Sequence, residues 1–265
     1  RAFATDVPVA PDSWTYDAHD VPEGRLAAFV AGLGPEWVGL SVTMPGKEEA
    51  LALADDAGHD AVLTGAANTL VRSGAGWRCD NTDVRGLTRA LQEAGLGEVT
   101  SAVLVGGGAT ARSALVSLAS LGATDVDVLV RADVRPPTRA LAERLGLAVR
   151  VRTLGAGPLV LDRDRHQVVV STLPASAPAP LVEWTRTAPA PVLFDAAYSP
   201  WPSPFADAVA RAAAGRSDVS VHRGTAMLLH QAVAQVEAMT GHDGPVEAMR
   251  AALLGATGDG HGTRV

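Results

Sequence analysis

Short apolar runs alternate with segments of helical periodicity along most of the chain, the pattern that builds a parallel sheet covered by helices. The run Ser101-Ala-Val-Leu-Val-Gly106 predicts a buried strand, the Gly106-Gly-Gly108-Ala-Thr-Ala111 turn follows, and helical spacing runs from Arg112 to Leu121. Asp125 to Val130 is the next strand. Further strands are predicted at His166 to Ser171, Pro191 to Ala196 and Val219 to Val221, with helices at Pro137 to Leu145 and Phe205 to Ala214. This stretch predicts a doubly wound unit.

Upstream, Trp37 to Val42 predicts a strand and Glu48 to Asp56 a helix. Asn68 to Arg72 and Trp77 to Asn81 flank the turn-like Ser73-Gly-Ala-Gly76 and predict a hairpin. Arg1-Ala-Phe-Ala looks helical, Thr225 to Met239 and Pro245 to Leu254 carry helical periodicity, and the Gly/His-rich end from Gly255 is expected to fray. There is no internal repeat. The expected class is α/β with two domains: residues 1–84, completed by the C-terminal helices of 225–265, and a Rossmann-like domain over 85–224.

Composition narrows the function. A content of 47% hydrophobic and 19% charged residues excludes disorder. The single cysteine, Cys79, can form no intramolecular disulfide and is too few for a thiolate metal site, which points to a reducing compartment. A net charge of -7 without a basic block argues against nucleic acid. No apolar run reaches the roughly 18 residues of a membrane span. Seven scattered histidines show no ligand spacing, so no metal is expected. The expectation is a cytoplasmic protein, a monomer or homodimer, with a small-molecule partner. Trp37 and Trp77 flank strands and are expected as core anchors.

Two features carry candidate chemistry. Lys47 is the only lysine among 22 basic residues, so it is either a leftover surface residue or a group doing what arginine cannot, since only the ammonium gives up its proton readily. Gly106-x-Gly108-x-x-Ala111 lies directly between a strand and a helix, where a dinucleotide fingerprint must lie. Its first glycine permits the tight turn, its second lets the backbone approach a pyrophosphate, and its small third residue lets helix and strand pack closely. An ordinary glycine-rich turn is the competing explanation. At the end of the second strand stands Arg131, where a cofactor without a 2′-phosphate would meet an acidic residue, so NADP is favoured; Asp133 nearby is the counter-indication.

Four polar clusters surround this turn: Ser41-Val-Thr43-Met-Pro-Gly-Lys47, Gly65-Ala-Ala-Asn68-Thr69, Asp80-Asn81-Thr82-Asp83 and Gly224-Thr-Ala-Met227-Leu-Leu-His-Gln231. In this order, with Asp195-Ala-Ala-Tyr198-Ser-Pro200, they resemble the shikimate dehydrogenase family from about Trp14 to Gly241. The resemblance implies an NADP-dependent oxidoreductase that interconverts 3-dehydroshikimate and shikimate in aromatic biosynthesis. It implies Lys47 and Asp83 as the catalytic pair; Lys47, after a strand and a proline turn, is expected to project into the mouth between the domains, and Asp83 to begin the linker into the cofactor domain. Thr43, Asn68, Tyr198 and Gln231 are implied as substrate ligands. Cofactor contacts fall on Gly106, Gly107, Gly108, Ala109, Thr110, Arg131, Thr172, Gly224 and Met227. A quinate or aminoshikimate-type dehydrogenase of the same fold, or a non-catalytic NADP-binding paralogue, are the alternatives.

The sequence departs from the family in places. The family's opening strand and Gly-x-Pro-x-x-His-Ser-x-Ser-Pro segment, whose serines bind the substrate carboxylate, are not in the sequence as given, and trimming or disorder is the expected reason. Asp80 stands where the family has glycine, adding a negative charge near Asp83. Val130 replaces an asparagine, and Ser171-Thr-Leu-Pro174 replaces an Asn-Ala-Thr-Pro loop.

Overall fold

A computed structural model describes residues 14–162, 164–184, 191–213, 216 and 218–257. The chain divides into two compact units, one formed by the residues up to Gly86 with those from Leu229, the other by Leu87–Leu228. The expected helix at Arg1-Ala-Phe-Ala lies outside the described residues.

The first unit opens with α1 (Leu26–Ala31), β1 (Gly39–Ser41), α2 (Lys47–Leu53), β2 (Asp56–Ala57) and α3 (His59–Thr64). It continues with β3 (Thr69–Ser73), β4 (Gly76–Asp80) and the start of α4 (Thr82–Glu93), whose residues from Leu87 belong to the second unit. Its sheet runs in the order β1-β3-β4-β2. The hairpin pairs β3 with β4 antiparallel from Thr69 opposite Asp80 to Ser73 opposite Gly76. Gly74, at a φ of 59°, makes the tip. Leu70, Trp77, Cys79, Ala50 and Ala61 fill the core beneath the sheet, with Trp37 partly buried against them. Trp77 is thus an anchor, and Arg72 stacks its guanidinium 4.2 Å from that ring. Burial and the adjacent carboxylates of Asp80 and Asp56 push the Cys79 thiol up to about 11. It stays a packing residue.

The second unit holds β5 (Ser101–Val105), α5 (Ala109–Ser120), β6 (Asp125–Val130), α6 (Pro136–Arg144), β7 (Ala148–Thr153) and β8 (Leu159–Leu161). After these come β9 (Val168–Ser171), β10 (Val182–Trp184), β11 (Val192–Asp195), α7 (Pro204–Ala212) and β12 (Val221–Arg223). Six strands form one sheet in the order β12-β11-β9-β5-β6-β7, with every neighbouring pair parallel. The strand order reverses between β5 and β9, and the carboxyl ends of strands at such a point form the crevice where this architecture takes ligands. Alternate residues Val103, Val105, Leu129, Val169 and Leu193 pack with Phe205 and Val209 of α7 on one face. β8 and β10 form a separate parallel pair.

Two helices close the chain and belong largely to the first unit: α8 (Thr225–Thr240) and α9 (Val246–Thr257). Leu229, Val233 and Val236 of α8 pack against Met249 of α9. Helix α9 continues through Gly255 to Thr257, and the rest of the Gly/His-rich end, where fraying is expected, lies outside the described residues.

One buried polar pair lies inside the second unit. Asp127 of β6 is 3% exposed, accepts Arg150 Nε of the paired strand at 2.6 Å, and lies 3.3 Å from His166 Nε2. Burial holds the His166 imidazole below its usual 6.5, and Arg165 and Arg150 push the same way against the opposing pull of Asp127. The unfolded chain therefore takes up this proton first, so the histidine's contribution is complete above pH 6.5 and is lost as pH falls below it toward the folded value. Unfolding free energy should decline from about pH 7.5 to 5.5, by up to about 1.4 kcal/mol per pH unit for this proton. His166→Gln should flatten that slope in urea titrations, leaving the share of His222, which burial also holds low. An unaltered slope would show that His166 titrates as it does in the unfolded chain.

Candidate functional site

Lys47 opens α2 directly after the Thr43-Met-Pro-Gly turn, and Asp83 lies in the first turn of α4, where a carboxylate meets the positive end of the helix. Their side chains meet: Lys47 Nζ donates to Asp83 Oδ2 at 2.5 Å, with the two side chains only 12% and 7% exposed. The other carboxylate oxygen, Oδ1, accepts Asn68 Nδ2 at 2.9 Å. Asn81 Oδ1 accepts the backbone N–H of Asp83 at 3.2 Å and so caps the helix that carries it.

Asn68 is the hub of this cluster and is 2% exposed. Its Oδ1 accepts the Thr82 backbone N–H at 2.9 Å and the Thr69 hydroxyl at 2.8 Å. A backbone N–H can only donate, so the amide is fixed with its NH2 toward Asp83. Nδ2 also reaches Thr82 Oγ1 at 3.0 Å and Gln231 Oε1 at 3.2 Å. Lys47, Asn68, Asp83 and Gln231 are thereby brought together within one unit. Thr43 lies at the surface of the same unit, just before the turn that leads to Lys47.

Gln235, one helical turn beyond Gln231, has no motif to mark it in the sequence, yet it is buried among these residues. Its Nε2 donates to the Asn68 carbonyl at 2.9 Å and to Thr69 Oγ1 at 3.1 Å, while its Oε1 accepts the Ser41 hydroxyl at 2.8 Å. Only the i, i+4 spacing from Gln231 hints that it shares a face.

The remaining candidates lie in the second unit. Gly106 ends β5 at a φ of 122°, and a Cβ there would run into the Thr172 hydroxyl, which donates to the Val105 carbonyl at 3.2 Å. Thr172 itself follows β9, so Gly106 and Thr172 mark the two sides of the strand-order reversal. Gly107 packs against Val130, and space around Gly108 is open. Gly108 caps α5 without any side-chain bond, so the first amides of the helix, from Ala109 and Thr110 onward, are offered without a competing side-chain acceptor. Ala111 is fully buried. This cradle fits the diphosphate of a dinucleotide, because it has an open glycine, free helix amides and room for close approach.

Arg131 is exposed just past β6. The Asp133 carboxylate is engaged by Arg139 at 2.9 Å and by the Val134 N–H at 2.7 Å, which offsets its charge beside Arg131. A 2′-phosphate fits such an end better than a bare ribose does. Gly224 tolerates no side chain, since a Cβ would strike the Ala196 carbonyl; its own N–H donates to the Ala197 carbonyl at 3.1 Å. Met227 is 7% exposed in the first turn of α8. Tyr198 leaves its ring exposed while Arg223 Nε donates to its carbonyl at 2.8 Å. Beneath that loop, buried Asp195 accepts the Ser203 hydroxyl, and burial pushes its carboxyl above the usual range.

Among the described residues, no group of three or more His, Cys, Asp or Glu side chains could hold a metal ion, and no helix is long and apolar enough to cross a membrane. Comparison with known proteins gives a consistent picture. Residues 11–70 match the shikimate dehydrogenase substrate binding domain, and residues 224–254 match the shikimate 5′-dehydrogenase C-terminal domain. The chain is 32% identical over 252 residues to a shikimate dehydrogenase (NADP(+)) of Methanopyrus kandleri, covering 91% of this chain and 85% of that protein. Among solved structures, the shikimate dehydrogenase of Mycobacterium tuberculosis is 41% identical with a TM-score of 0.69, over 89% of this chain and 85% of that one. A Thermus thermophilus enzyme solved in complex with NADP(H) and shikimate is 25% identical with a TM-score of 0.70, over 89% and 86%.

The hub position of Asn68 is testable without any ligand. Asn68→Ala leaves the Thr82 amide and one Asp83 oxygen without their buried partner, and should lower the unfolding free energy by about 1–3 kcal/mol per orphaned group in urea titrations. No loss would mean that these bonds are not made in solution.

Proposed function

The chain belongs to the shikimate dehydrogenase family, and on that premise we propose that it catalyses the reversible NADPH-dependent reduction of 3-dehydroshikimate to shikimate, a step of aromatic amino-acid biosynthesis. The observation that carries this reading is the Lys47–Asp83 pair, made at 2.5 Å and held from behind by Asn68. Reduction of a ketone adds a hydride to carbon and a proton to oxygen. The hydride is the chemistry NADPH supplies when bound. The proton is the protein's task.

Lys47 suits that task because an ammonium is a compact donor that can part with its proton and recover it from solvent. Asp83 keeps the ammonium aimed, and in the oxidising direction the same pair receives the hydroxyl proton. Thr43, Asn68 and Gln231 are assigned to the substrate's ring hydroxyls, and Tyr198 to its carboxylate side. Neutral amides and hydroxyls suit a polyol, since each fixes one hydroxyl and would be left unpaired by an analogue lacking it. The domain of residues 1–84 with 225–265 is assigned to substrate; the match of residues 11–70 to a substrate binding domain supports this. The domain of 85–224 is assigned to NADP, through Gly106, Gly107, Gly108, Ala109, Thr110, Arg131, Thr172, Gly224 and Met227. The single buried thiol and the net charge of -7 favour a cytoplasmic enzyme, acting as a monomer or homodimer.

NADPH absorbance followed with 3-dehydroshikimate tests the reading directly. Turnover is expected, and Lys47→Ala should lower kcat by ~100- to 10,000-fold while leaving the NADPH dissociation constant unchanged. A higher kcat/KM on quinate or an aminoshikimate would move the assignment to those dehydrogenases. NADPH binding without turnover on any such ring acid would make the protein a non-catalytic paralogue.

A further inference from the structure

The hydrogen bonds around Gln235 run in one direction. The Ser41 hydroxyl donates to Gln235 Oε1, Gln235 Nε2 donates to Thr69 Oγ1, and the Thr69 hydroxyl donates to Asn68 Oδ1. Asn68 Nδ2 then donates to Asp83 Oδ1, and Lys47 reaches the same carboxylate from its other oxygen. Thr69 is fully buried and Gln235 is 5% exposed, so no water competes for the middle of this chain. A hydroxyl has one proton. Once Gln235 occupies the acceptor side of Thr69 Oγ1, that proton is left for Asn68, and the polarity is passed on.

We propose that Gln235 is a positioning residue for catalysis: it fixes the direction of the Ser41–Gln235–Thr69–Asn68 relay, so that the Thr69 hydroxyl joins the Thr82 N–H as a second donor to Asn68 Oδ1 and holds in place the amide whose NH2 meets the Asp83 carboxylate. The inference rests on the Lys47–Asp83 pair being the catalytic pair. Gln235 touches neither member of that pair. It acts through the Asn68 side chain and through the Asn68 carbonyl, which it shares with the Val42 N–H at 2.7 Å. The residue comes from α8, far along the chain from β1 and β3, so the relay also ties the last part of the first unit to its opening strands.

The direction of the relay makes a specific substitution informative. Gln235→Glu keeps the shape but turns the donor into an acceptor, which draws the Thr69 proton away from Asn68 and faces an oxygen with the Asn68 carbonyl. Thr69→Val keeps the volume and removes the hydroxyl, cutting the relay at its next link. In either variant Asn68 Oδ1 keeps the Thr82 N–H but loses the Thr69 donor, so the NH2 that supports the charged Asp83 is held less firmly. Both should lower kcat by at least about 10-fold, leave the NADPH dissociation constant within about 2-fold, and move the acid limb of the kcat–pH profile to higher pH. A purely packing role would lower thermal stability without moving that limb.

Because Lys47 is the only lysine, an independent reading comes from labelling with an amine reagent, resolved from the N-terminal amine by mass spectrometry. In both variants Lys47 should be modified several-fold faster at fixed pH, as its carboxylate partner is held less firmly. Wild-type turnover, pH profile and labelling rate retained in both variants would overturn the proposal. A wild-type protein without turnover would instead overturn the functional assignment, and the labelling comparison would still decide whether Gln235 positions the pair.

Discussion

The backbone N–H at the head of α4 decides how the site is built. It can only donate, and it donates to Asn68 Oδ1, so the Asn68 amide has one orientation and its NH2 must face Asp83. Removing a lysine and an aspartate from water costs several kcal/mol per ion unless the remaining lone pairs and protons are met. Here one Asp83 oxygen takes Lys47 and the other takes Asn68, while the helix end beneath adds its own partial positive charge. The charged pair is tolerable because the neutral amide beside it has been given no choice.

The second unit obeys a constraint of another kind. Its parallel strands place all their carboxyl ends on one edge, and the reversal of order between β5 and β9 opens that edge at Gly106 and Thr172. A side chain at Gly106 would need both a rarely adopted φ and the space of the Thr172 hydroxyl. The strand therefore ends where a ligand can approach the backbone. The arginine that follows β6 is left free of its acidic neighbour because Asp133 turns to Arg139 and to its own Val134 amide.

How much of this could be read from residues alone depends on whether a signal was local. The hairpin at Thr69–Ser73 and Gly76–Asp80 was legible from its glycine turn, and β5, β6 and α5 from an apolar run, a glycine cluster and a second apolar run. Helix α4 was hidden because its first turn is made from the same Asn-Thr-Asp cluster that reads as a polar site; the cap and the carboxylate that holds Lys47 are one segment. Strand β7 was hidden by Arg150 and Arg152, which sit at an exposed sheet edge and pair with Asp127. Strands β8 and β10 are too short to show a period. Lys47, Asn68 and Asp83 stood out through motifs, whereas Gln235 meets its partners across more than a hundred and sixty residues of chain, where no spacing rule reaches.

The solitary lysine has a physical explanation in this geometry. A guanidinium presents a rigid fork that matches both oxygens of a carboxylate, and that is how arginine holds such groups best. At Asp83 the second oxygen is already taken by Asn68, so a forked donor would have to displace the amide and, with it, the bonds to Thr82 and Thr69. A single-point donor fits the remaining oxygen without disturbing any of them. The guanidinium would also keep its proton at every working pH, whereas the proposed reduction needs one to be moved. In a chain that uses arginine at every other basic position, the site admits lysine for two separate reasons, one geometric and one chemical.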